Sequence, residues 1–515
     1  MKNIVIIFLC MVVSKFTLAN NLNIANTSFN SSDNTVTFTI SWENSWRLSS
    51  GPSNWDAVWV FVKRQACSNT NEWASQLLST NAADHVASGA VLTVDATSDG
   101  LGVFIRRAST STATGNISAT TITLKFNTTA SGTNPIITTG ANDNFKVIGL
   151  EMVYVPQGSF YLGDGRSTNT NNFSNGDNGG TALLIDASKQ NAGLGVSTVY
   201  CRTFTLGCPS ALPSTFPLGY NGFYCMKYEL GVSAYVDFLN CLSYDQQATK
   251  HAKRGAVYPN AVGSLITEAW NANNVRVAQA GIYNTKPAVY TQSAYSYYRP
   301  MHQLNWQDLA AYLDWSGLRP MTEFEFEKAC RGNNGVNANN PVANEYPWGN
   351  TTISQATSAN NHGGANELIG QAGQQGVCQY NYADWQNYSP MRSGGPAAYP
   401  SASRTQAGAT YYGIMEMGGN VWEQCVGGGS GYDYSTFTIA NGDGALTNLG
   451  LANVTGWPVN GGTNSGTILR GGSFNYSADN VRVSERIYYA GDALNNNSNT
   501  AWSAGGRGVR SISYQ

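Results

Sequence analysis

The chain is poor in charge. Only 12% of its 515 residues are Asp, Glu, Lys or Arg, the formal net charge is −2, and no run of basic residues occurs. Loss of Lys2 and Lys15 with a predicted signal would leave 27 basic against 31 acidic residues, a net charge of −4. Nucleic acids and anionic membranes attract proteins through clustered positive charge. The composition therefore argues against both as partners.

Histidine is scarce and closely spaced cysteine pairs are absent. The four histidines form neither HExxH nor another paired spacing, which leaves little material for a histidine-rich catalytic metal site. No CxxC occurs, which argues against a zinc ribbon or a thioredoxin-like motif. An even number of cysteines allows four disulfides in an exported protein, with buried thiols as the alternative. Those outside the predicted signal are Cys67, Cys201, Cys208, Cys225, Cys241, Cys330, Cys378 and Cys425.

Long hydrophobic runs are also missing. A membrane-spanning helix needs roughly 18 or more apolar residues, and no segment approaches that length. The apolar stretch Ile4–Val13 is too short. With Lys2 before it and the small-residue site Thr17–Ala19 after it, the stretch predicts a secretory signal over residues 1–19. We therefore expect an exported protein, secreted or on the cell surface, without a membrane span.

Residues 20–147 have the patterns of β-strands. Val36, Phe38 and Ile40 alternate with threonines, which predicts a half-buried strand. The continuous apolar run Ala57–Val62 predicts a strand that is buried on both faces. This segment is predicted to be an all-β sandwich that acts as a spacer or adhesive module. Further strands are predicted at residues 103–105, 121–126 and 145–148.

From residue 149 onward the patterns change. Residues 163–199 predict a long surface insertion, and Thr322 with Glu325 forms a capping box. Glu323, Glu325 and Glu327 raise the possibility of acid–base catalysis. Their i, i+2 spacing distributes them over different faces of a helix, which favours a structural role. Helices are predicted at Val232–Leu242, Trp306–Trp315 and Met321–Cys330.

Five segments, taken in order, resemble one family. They are EMVYVPQGSFYL (Glu151–Leu162), RPMTEFEFEKACRG (Arg319–Gly332), YPWGN (Tyr346–Asn350), GIMEMGGNVWE (Gly413–Glu423) and LRGGSF (Leu469–Phe474) with the closing GRGVR (Gly506–Arg510). The series is similar to the sulfatase-modifying factor family over residues 149–515. The resemblance implies that this segment is a loop-rich, formylglycine-generating-enzyme-type C-type-lectin-like domain. Together with the predicted N-terminal all-β sandwich, which lies outside the resemblance, it predicts an α+β fold.

The resemblance carries a departure from the family's chemistry. Members that make formylglycine use two cysteines five residues apart after the Gly-Gly-Ser turn, with copper, and Cu(I) prefers thiolate ligands. Those positions here are Tyr476 and Val481, so copper and a catalytic residue are not expected. A second branch of the family uses iron held by histidines, and this chain has no histidine after His362. An oxidase with a relocated site, or another enzyme that modifies exported proteins, is the alternative.

The family also binds structural calcium. By resemblance, the ligands here are the Glu416 and Glu423 carboxylates and the carbonyls of Gly419 and Val421, and calcium takes six to eight hard oxygens. The alternative is a buried Trp422 with Glu423 capping a turn. For a second calcium site, the loose candidates are Asn360, Asn381 and Asp384.

The segment after the Gly-Gly-Ser turn suits recognition. Tyrosine gives contact area at low entropic cost, and serine and asparagine adapt their hydrogen bonds. We therefore expect a secreted, non-catalytic binding or surface protein, a pseudoenzyme, with a protein or carbohydrate ligand; a structural component of a surface assembly is the alternative. The candidate ligand-binding residues are Ser473, Asn475, Tyr476, Ser477, Asp479, Asn480, Arg482, Tyr488 and Tyr489.

Overall fold

The computed structural model describes most of the chain. The predicted signal lies outside the described residues, as do Cys67, Cys208 and Asp384. The described residues are 21–66, 72–108, 113–128, 143–166, 171–176, 180–196, 198–201, 211–252, 275–282, 285–332, 341–362, 364–365, 367–371, 373–381, 389–399, 402–428, 432–462, 465–490 and 502–512.

The first third of the chain is built from strands, as the alternating patterns predict. Val36, Phe38 and Ile40 are fully buried, and the threonines between them are partly exposed. The strands are β1 (Asn23–Asn30), β2 (Thr35–Arg47), β3 (Asp56–Gln65), β4 (Ala74–Gln76), β5 (Val86–Ala87), β6 (Leu92–Ala96), β7 (Gly102–Arg107), β8 (Ala113–Lys125) and β9 (Asn144–Val155).

In the described parts of the rest of the chain, short strands alternate with five short α-helices, so the fold is α+β. Trp306–Trp315 is helical over the predicted residues; the other two predicted helices are confirmed, with ends that differ by up to three residues. The elements are β10 (Phe160–Leu162), β11 (Phe173–Asn175), β12 (Leu183–Ile185), α1 (Ala187–Ala192), β13 (Val199–Cys201), β14 (Phe223–Met226), α2 (Val232–Leu239), α3 (Tyr244–Ala252), β15 (Val275–Gln279), β16 (Val289–Gln292), α4 (Trp306–Trp315), β17 (Arg319–Pro320), α5 (Glu323–Arg331), β18 (Ser354–Gln355), β19 (Thr357–Asn360), β20 (Leu368–Gly370), β21 (Val377–Cys378), β22 (Glu423–Val426), β23 (Thr467–Arg470), β24 (Tyr488–Tyr489) and β25 (Gly508–Ser511).

One large sheet joins the two halves of the chain. Its strand order is β17-β25-β14-β9-β3-β7-β6, with β4 paired to β3. The boundary expected at residues 147–149 falls inside β9, which pairs with β3 on one side and with β14 on the other. The predicted sandwich and the family-like segment therefore share a sheet and are not joined by a linker.

Strand β3 is buried on both faces, as its apolar run predicts. Val58 and Val60 pack against Phe38 and Ile40 of the four-stranded sheet β1-β2-β8-β5, which closes the sandwich. On the opposite face, the Phe61 ring lies 5.3 Å from the Trp315 ring of α4, in an edge-on arrangement. The same strand thus anchors the cores on both sides of the sheet.

The segment predicted as a surface insertion, residues 163–199, is only partly superficial. Phe173 and Ile185 are fully buried, and the Arg486 guanidinium lies 4.3 Å from the centre of the Phe173 ring. The prediction was wrong for these residues because single apolar side chains, set among Asn, Gly and Thr, leave no periodic pattern to detect.

The cysteines and helices that the structure describes bear on two further expectations. Five buried cysteines are free thiols, which agrees with the buried-thiol alternative for them: Cys225, Cys241, Cys330, Cys378 and Cys425. Among the described helices, none has the length and apolar character to cross a bilayer.

The shared sheet predicts that both halves of the chain unfold together. Phe61→Ala removes a buried ring that contacts α4 from β3, and we expect a loss of about 3–5 kcal/mol in the free energy of unfolding. Differential scanning calorimetry should show a single unfolding transition, and its midpoint temperature should be lower in the variant. Two separate transitions, of which only one shifts, would contradict the shared core.

Candidate functional site

Helix α5 begins with the capping box that the sequence predicts. The Thr322 hydroxyl accepts a hydrogen bond from the Glu325 N–H at 3.1 Å, and the Glu325 carboxylate accepts one from the Thr322 N–H at 3.0 Å. The same carboxylate also receives two hydrogen bonds from Arg319, at 2.6 and 2.8 Å. Glu325 is therefore fully engaged in fixing the helix start.

The other two glutamates of α5 bind arginines from the LRGGSF motif and beyond. Arg470 donates to Glu323 at 3.0 Å and to Glu327 at 2.6 Å, and Arg486 donates to both oxygens of Glu323 at 3.0 Å. Arg331 pairs with Glu327 at 2.9 Å. We call Glu323, Glu327, Arg331, Arg470 and Arg486 the α5 ion-pair network. Because every carboxylate in it is paired, the structure supports the structural role over acid–base catalysis.

The Gly-Gly-Ser turn lies against this network. Gly471 and Gly472 have φ angles of 85° and 74°, in the left-handed region that favours glycine. A Cβ at Gly471 would lie 2.8 Å from the Met417 carbonyl oxygen. The buried Ser473 hydroxyl lies 2.9 Å from both Asn475 Oδ1 and Ser503 Oγ. Ser473 therefore stabilises the turn from within.

The two positions that align with the family's cysteines are packed by apolar and aromatic groups. Val481 is fully buried in a cluster with Tyr346, Trp348 and Cys378. Burial raises the pKa of the Cys378 thiol well above its usual range, which disfavours the thiolate. Burial does the same for Cys425, the cysteine nearest in sequence. The two thiols lie in different clusters, Cys378 with Val481 and Cys425 with Phe326 and Cys330.

Tyr476 belongs to a group of three rings. Its ring lies 5.1 Å from Trp422 and 5.5 Å from Tyr488, both edge-on, and Trp422 lies 5.5 Å from Tyr488. Trp422 is buried and the two tyrosines are partly exposed. The group therefore presents two tyrosine rings to solvent on a buried tryptophan.

The predicted ligand-binding residues do not all reach the surface. Ser477 and Asp479 are exposed, and Asp479 pairs with the partly exposed Arg482 at 2.5 Å. Ser473 and Asn480 are buried, and the Asn480 backbone packs against Gly472 in the tight turn. Those that remain partly exposed are Asn475, Tyr476, Arg482, Tyr488 and Tyr489.

The turn predicted to hold calcium has an unusual backbone. Glu416 and Asn420 adopt φ angles of 50° and 61°, which side-chain-bearing residues rarely do, and Gly419 adopts 77°. Glu416 Oε1 accepts a hydrogen bond from the Gly394 N–H at 2.8 Å, and Glu423 Oε1 accepts one from Arg507 Nε at 2.6 Å. Glu416 Oε2 and Glu423 Oε2 are buried and have no hydrogen-bond partner among the described residues.

Three residues that the sequence did not single out complete this turn. Glu229 accepts hydrogen bonds from Asn420 Nδ2 at 2.6 Å and from the Val421 N–H at 2.9 Å. These bonds fix the Asn420 amide so that its Oδ1 is a third buried oxygen without a partner among the described residues. Arg507 also donates to the Glu416 carbonyl at 3.0 Å. No local sequence pattern links these positions, since Glu229 and Asn420 alone are 191 residues apart.

Buried acidic groups outnumber the basic groups around the turn. Burial raises the pKa of Glu416 to about 7, that of Glu229 well above its usual value and that of Glu423 above its usual value, and Arg507 opposes the shift in each case. Arg392 also opposes the shift at Glu416, so three buried carboxylates face two guanidinium groups. The described residues contain no group of three or more His, Cys, Asp or Glu side chains arranged around a metal, so carbonyl and amide oxygens would have to complete a site. Three unpartnered oxygens on a tight turn fit a hard cation of the calcium type.

The second calcium site remains a prediction. The Asn381 N–H donates to the Tyr476 carbonyl at 2.8 Å, and the Asn381 carbonyl accepts from Gln355 at 2.9 Å. Asn360 lies in β19 and Asp384 lies outside the described residues.

Comparisons with known proteins agree with the motifs. Residues 141–499 match the family described as the sulfatase-modifying factor enzyme 1-like domain. The formylglycine-generating enzyme of Thermomonospora curvata is 31% identical over 127 residues, which are 24% of this chain and 32% of the relative. The match thus spans about a third of that relative's length.

Two solved structures show weaker likeness. Treponema denticola variable protein 1 aligns with a TM-score of 0.31 and 12% identity, over 70% of this chain and 95% of the other. The major tropism determinant U1 variant aligns with a TM-score of 0.23 and 13% identity, over 84% and 85% of the two chains. Likeness at these scores has no bearing on function.

The α5 ion-pair network predicts a large stability loss on removal of one partner. Arg470→Met leaves Glu323 and Glu327 short of a buried cation, and we expect a loss of about 3–5 kcal/mol in the free energy of unfolding, measured with urea. The control Arg482→Met removes an arginine whose partner Asp479 is 66% exposed, and it should cost less than about 1 kcal/mol. Equal losses in the two variants would refute the assignment.

Proposed function

The chain belongs to the sulfatase-modifying factor family, and we propose that it is a non-catalytic member, an exported binding protein whose recognition surface follows the Gly-Gly-Ser turn. The packing at the two positions of the missing cysteines is the observation that carries this proposal. Val481 packs in an apolar cluster, and the Tyr476 ring packs edge-on against Trp422. Neither side chain offers a thiolate for Cu(I).

The groups around Tyr476 suit recognition better than oxidation. Tyr476 and Tyr488 present ring surface that Trp422 supports from below, so little side-chain entropy is lost on binding. Asp479 and Arg482 add hydrogen-bonding groups of both signs beside them. This mixture of aromatic and small polar groups fits a protein or carbohydrate ligand.

Calcium in the Glu416–Glu423 turn is part of the proposal. The chemistry that the ion supplies is charge neutralisation and coordination of hard oxygens. Glu416 and Glu423 would hold it through their unpartnered oxygens, with the Gly419 and Val421 carbonyls. Asn420 Oδ1 is a further donor, and Glu229 orients that amide. The turn leads directly into β22, which pairs with β23 of the LRGGSF motif, so the ion would stabilise the recognition surface from beneath.

Calcium removal is therefore expected to destabilise the protein. EDTA should lower the melting temperature and calcium should restore it. At a calcium concentration of 100 times Kd, binding should add about 2.7 kcal/mol to the free energy of unfolding. Glu423→Gln should abolish this response. The control Glu485→Gln changes a buried glutamate elsewhere and should keep it. A wild-type melting temperature that does not change with EDTA would contradict the calcium proposal.

The recognition surface is tested with arrays of immobilised glycans and extracellular proteins. We expect the wild type to bind a subset of them, and Asp479→Ala/Arg482→Ala to lose most of that binding because it removes the exposed polar pair. The matched control is Asp95→Ala/Arg106→Ala, another partly exposed ion pair at 2.5 Å on β6 and β7.

Two outcomes would overturn the binding proposal. One is equal loss of array binding in both double variants. The other is catalysis: the wild-type protein, incubated with a cysteine-containing sulfatase peptide, copper and oxygen, would convert the cysteine to an aldehyde. Mass spectrometry of the peptide detects that conversion directly.

A further inference from the structure

A large acidic cleft lies away from the recognition surface, where the sandwich meets α2. Its volume is about 920 Å³, and β1, β2, β8, β9 and the start of α2 contribute to its walls. Four acidic residues line it and no Lys, Arg or His does. We call this cavity, with Glu43, Glu151, Glu229 and Asp237 in its lining, the acidic cleft.

Two of these carboxylates have an oxygen without a partner. The Glu151 side chain is 4% exposed; its Oε2 accepts from Lys227 at 3.0 Å, and its Oε1 has no hydrogen-bond partner among the described residues. Glu43 Oε2 is likewise buried and unpartnered. A buried carboxylate oxygen without a donor is costly, which makes both oxygens acceptors for a missing group.

The charge around these oxygens is not balanced by the chain. Lys227 lies 3.8 Å from Asp56 as well as 3.0 Å from Glu151, so one ammonium serves both carboxylates. Burial raises the pKa of Glu151; Lys227 opposes this, and the Asp56 and Glu43 carboxylates add to it. The start of α2 faces the cleft through Gly231 and contributes only about half a positive charge. Lys146 partly offsets Asp237 from outside the lining, and the four lining carboxylates have no cationic side chain among the lining residues themselves.

The lining favours an organic cation over a metal ion. The described residues hold no compact group of three or more metal-binding side chains, and the acidic groups spread along the cleft. The rings of Tyr228, Tyr297 and Tyr298 also line it, and aromatic faces attract ammonium and guanidinium groups. A volume of 920 Å³ holds a peptide segment or a small molecule rather than a single ion.

We propose that the acidic cleft binds an organic polycation, with one ammonium or guanidinium group on Glu43 and Glu151 and a second near Asp237. Glu229 offers no free acceptor to the ligand, since both of its oxygens accept hydrogen bonds from Asn420 and Val421. Such a ligand is either a lysine- or arginine-containing segment of another polypeptide or a free polyamine. The assignment does not depend on the recognition surface.

Titration calorimetry on the full chain tests this with two probes, an acetylated trilysine amide and spermine. We expect saturable 1:1 binding of at least one probe that weakens as sodium chloride is raised. Glu43→Gln should weaken it about tenfold, the effect of losing a charged hydrogen bond. Asp237→Asn, at an exposed position on α2, should weaken it without loss of folding. Glu72→Gln, at an exposed position outside the cleft, should change nothing.

The two probes distinguish the source of the ligand. Binding of trilysine alone supports a basic polypeptide, binding of spermine alone supports a polyamine, and either supports the cleft. The proposal is overturned if neither probe binds at millimolar concentration, or if binding is the same in Glu43→Gln, Asp237→Asn and Glu72→Gln. Saturable, Glu43-dependent binding of calcium alone, without either probe, would also overturn it.

Discussion

The fold rests on two carboxylates that are buried one helical turn apart. Glu323 and Glu327 of α5 hold Arg470 between them, and Arg486 and Arg331 complete their pairing. In a domain with short strands and many loops, few backbone ladders connect distant segments. A buried ion is costly unless it is paired, so each arginine has essentially one position available. The network therefore holds the LRGGSF motif against α5, the helix that forms most of the RPMTEFEFEKACRG motif.

The residues that stabilise the fold differ from the residues that carry the chemistry of formylglycine-forming members. None of the network residues is one of the positions where formylglycine-forming members carry cysteines. At those positions, Val481 packs in an apolar cluster and the Tyr476 ring packs against Trp422. These side chains are tolerated because Arg470 and the buried Ser473 hydroxyl hold the Gly-Gly-Ser turn in place. A fold that does not depend on its catalytic residues can carry another function on the same scaffold.

The features that the sequence predicts are those with a local pattern. The alternation around Phe38, the apolar run at Val58–Val62 and the capping box at Thr322 all depend on residues within a few positions of each other, and the structure contains all three. The sheet shared by β3, β9 and β14 was not predictable, because pairs such as Asp56–Val153 and Met152–Met226 join residues 97 and 74 positions apart and leave no local trace. Glu229 and Arg507 were missed at the predicted calcium turn for the same reason.

A short backbone segment, Met226–Glu229, connects the two acidic regions of the protein. The Lys227 ammonium pairs with Glu151 in the lining of the cleft, while the carbonyl of the same residue accepts from Arg507 at the predicted calcium turn. Glu229 lines the cleft and at the same time orients Asn420 and Val421. A positive charge bound in the cleft therefore lowers the electrostatic cost of keeping Glu229 ionised, and an ionised Glu229 is the better acceptor for both donors of the turn. The two cation sites proposed for this chain would therefore stabilise one another through Glu229.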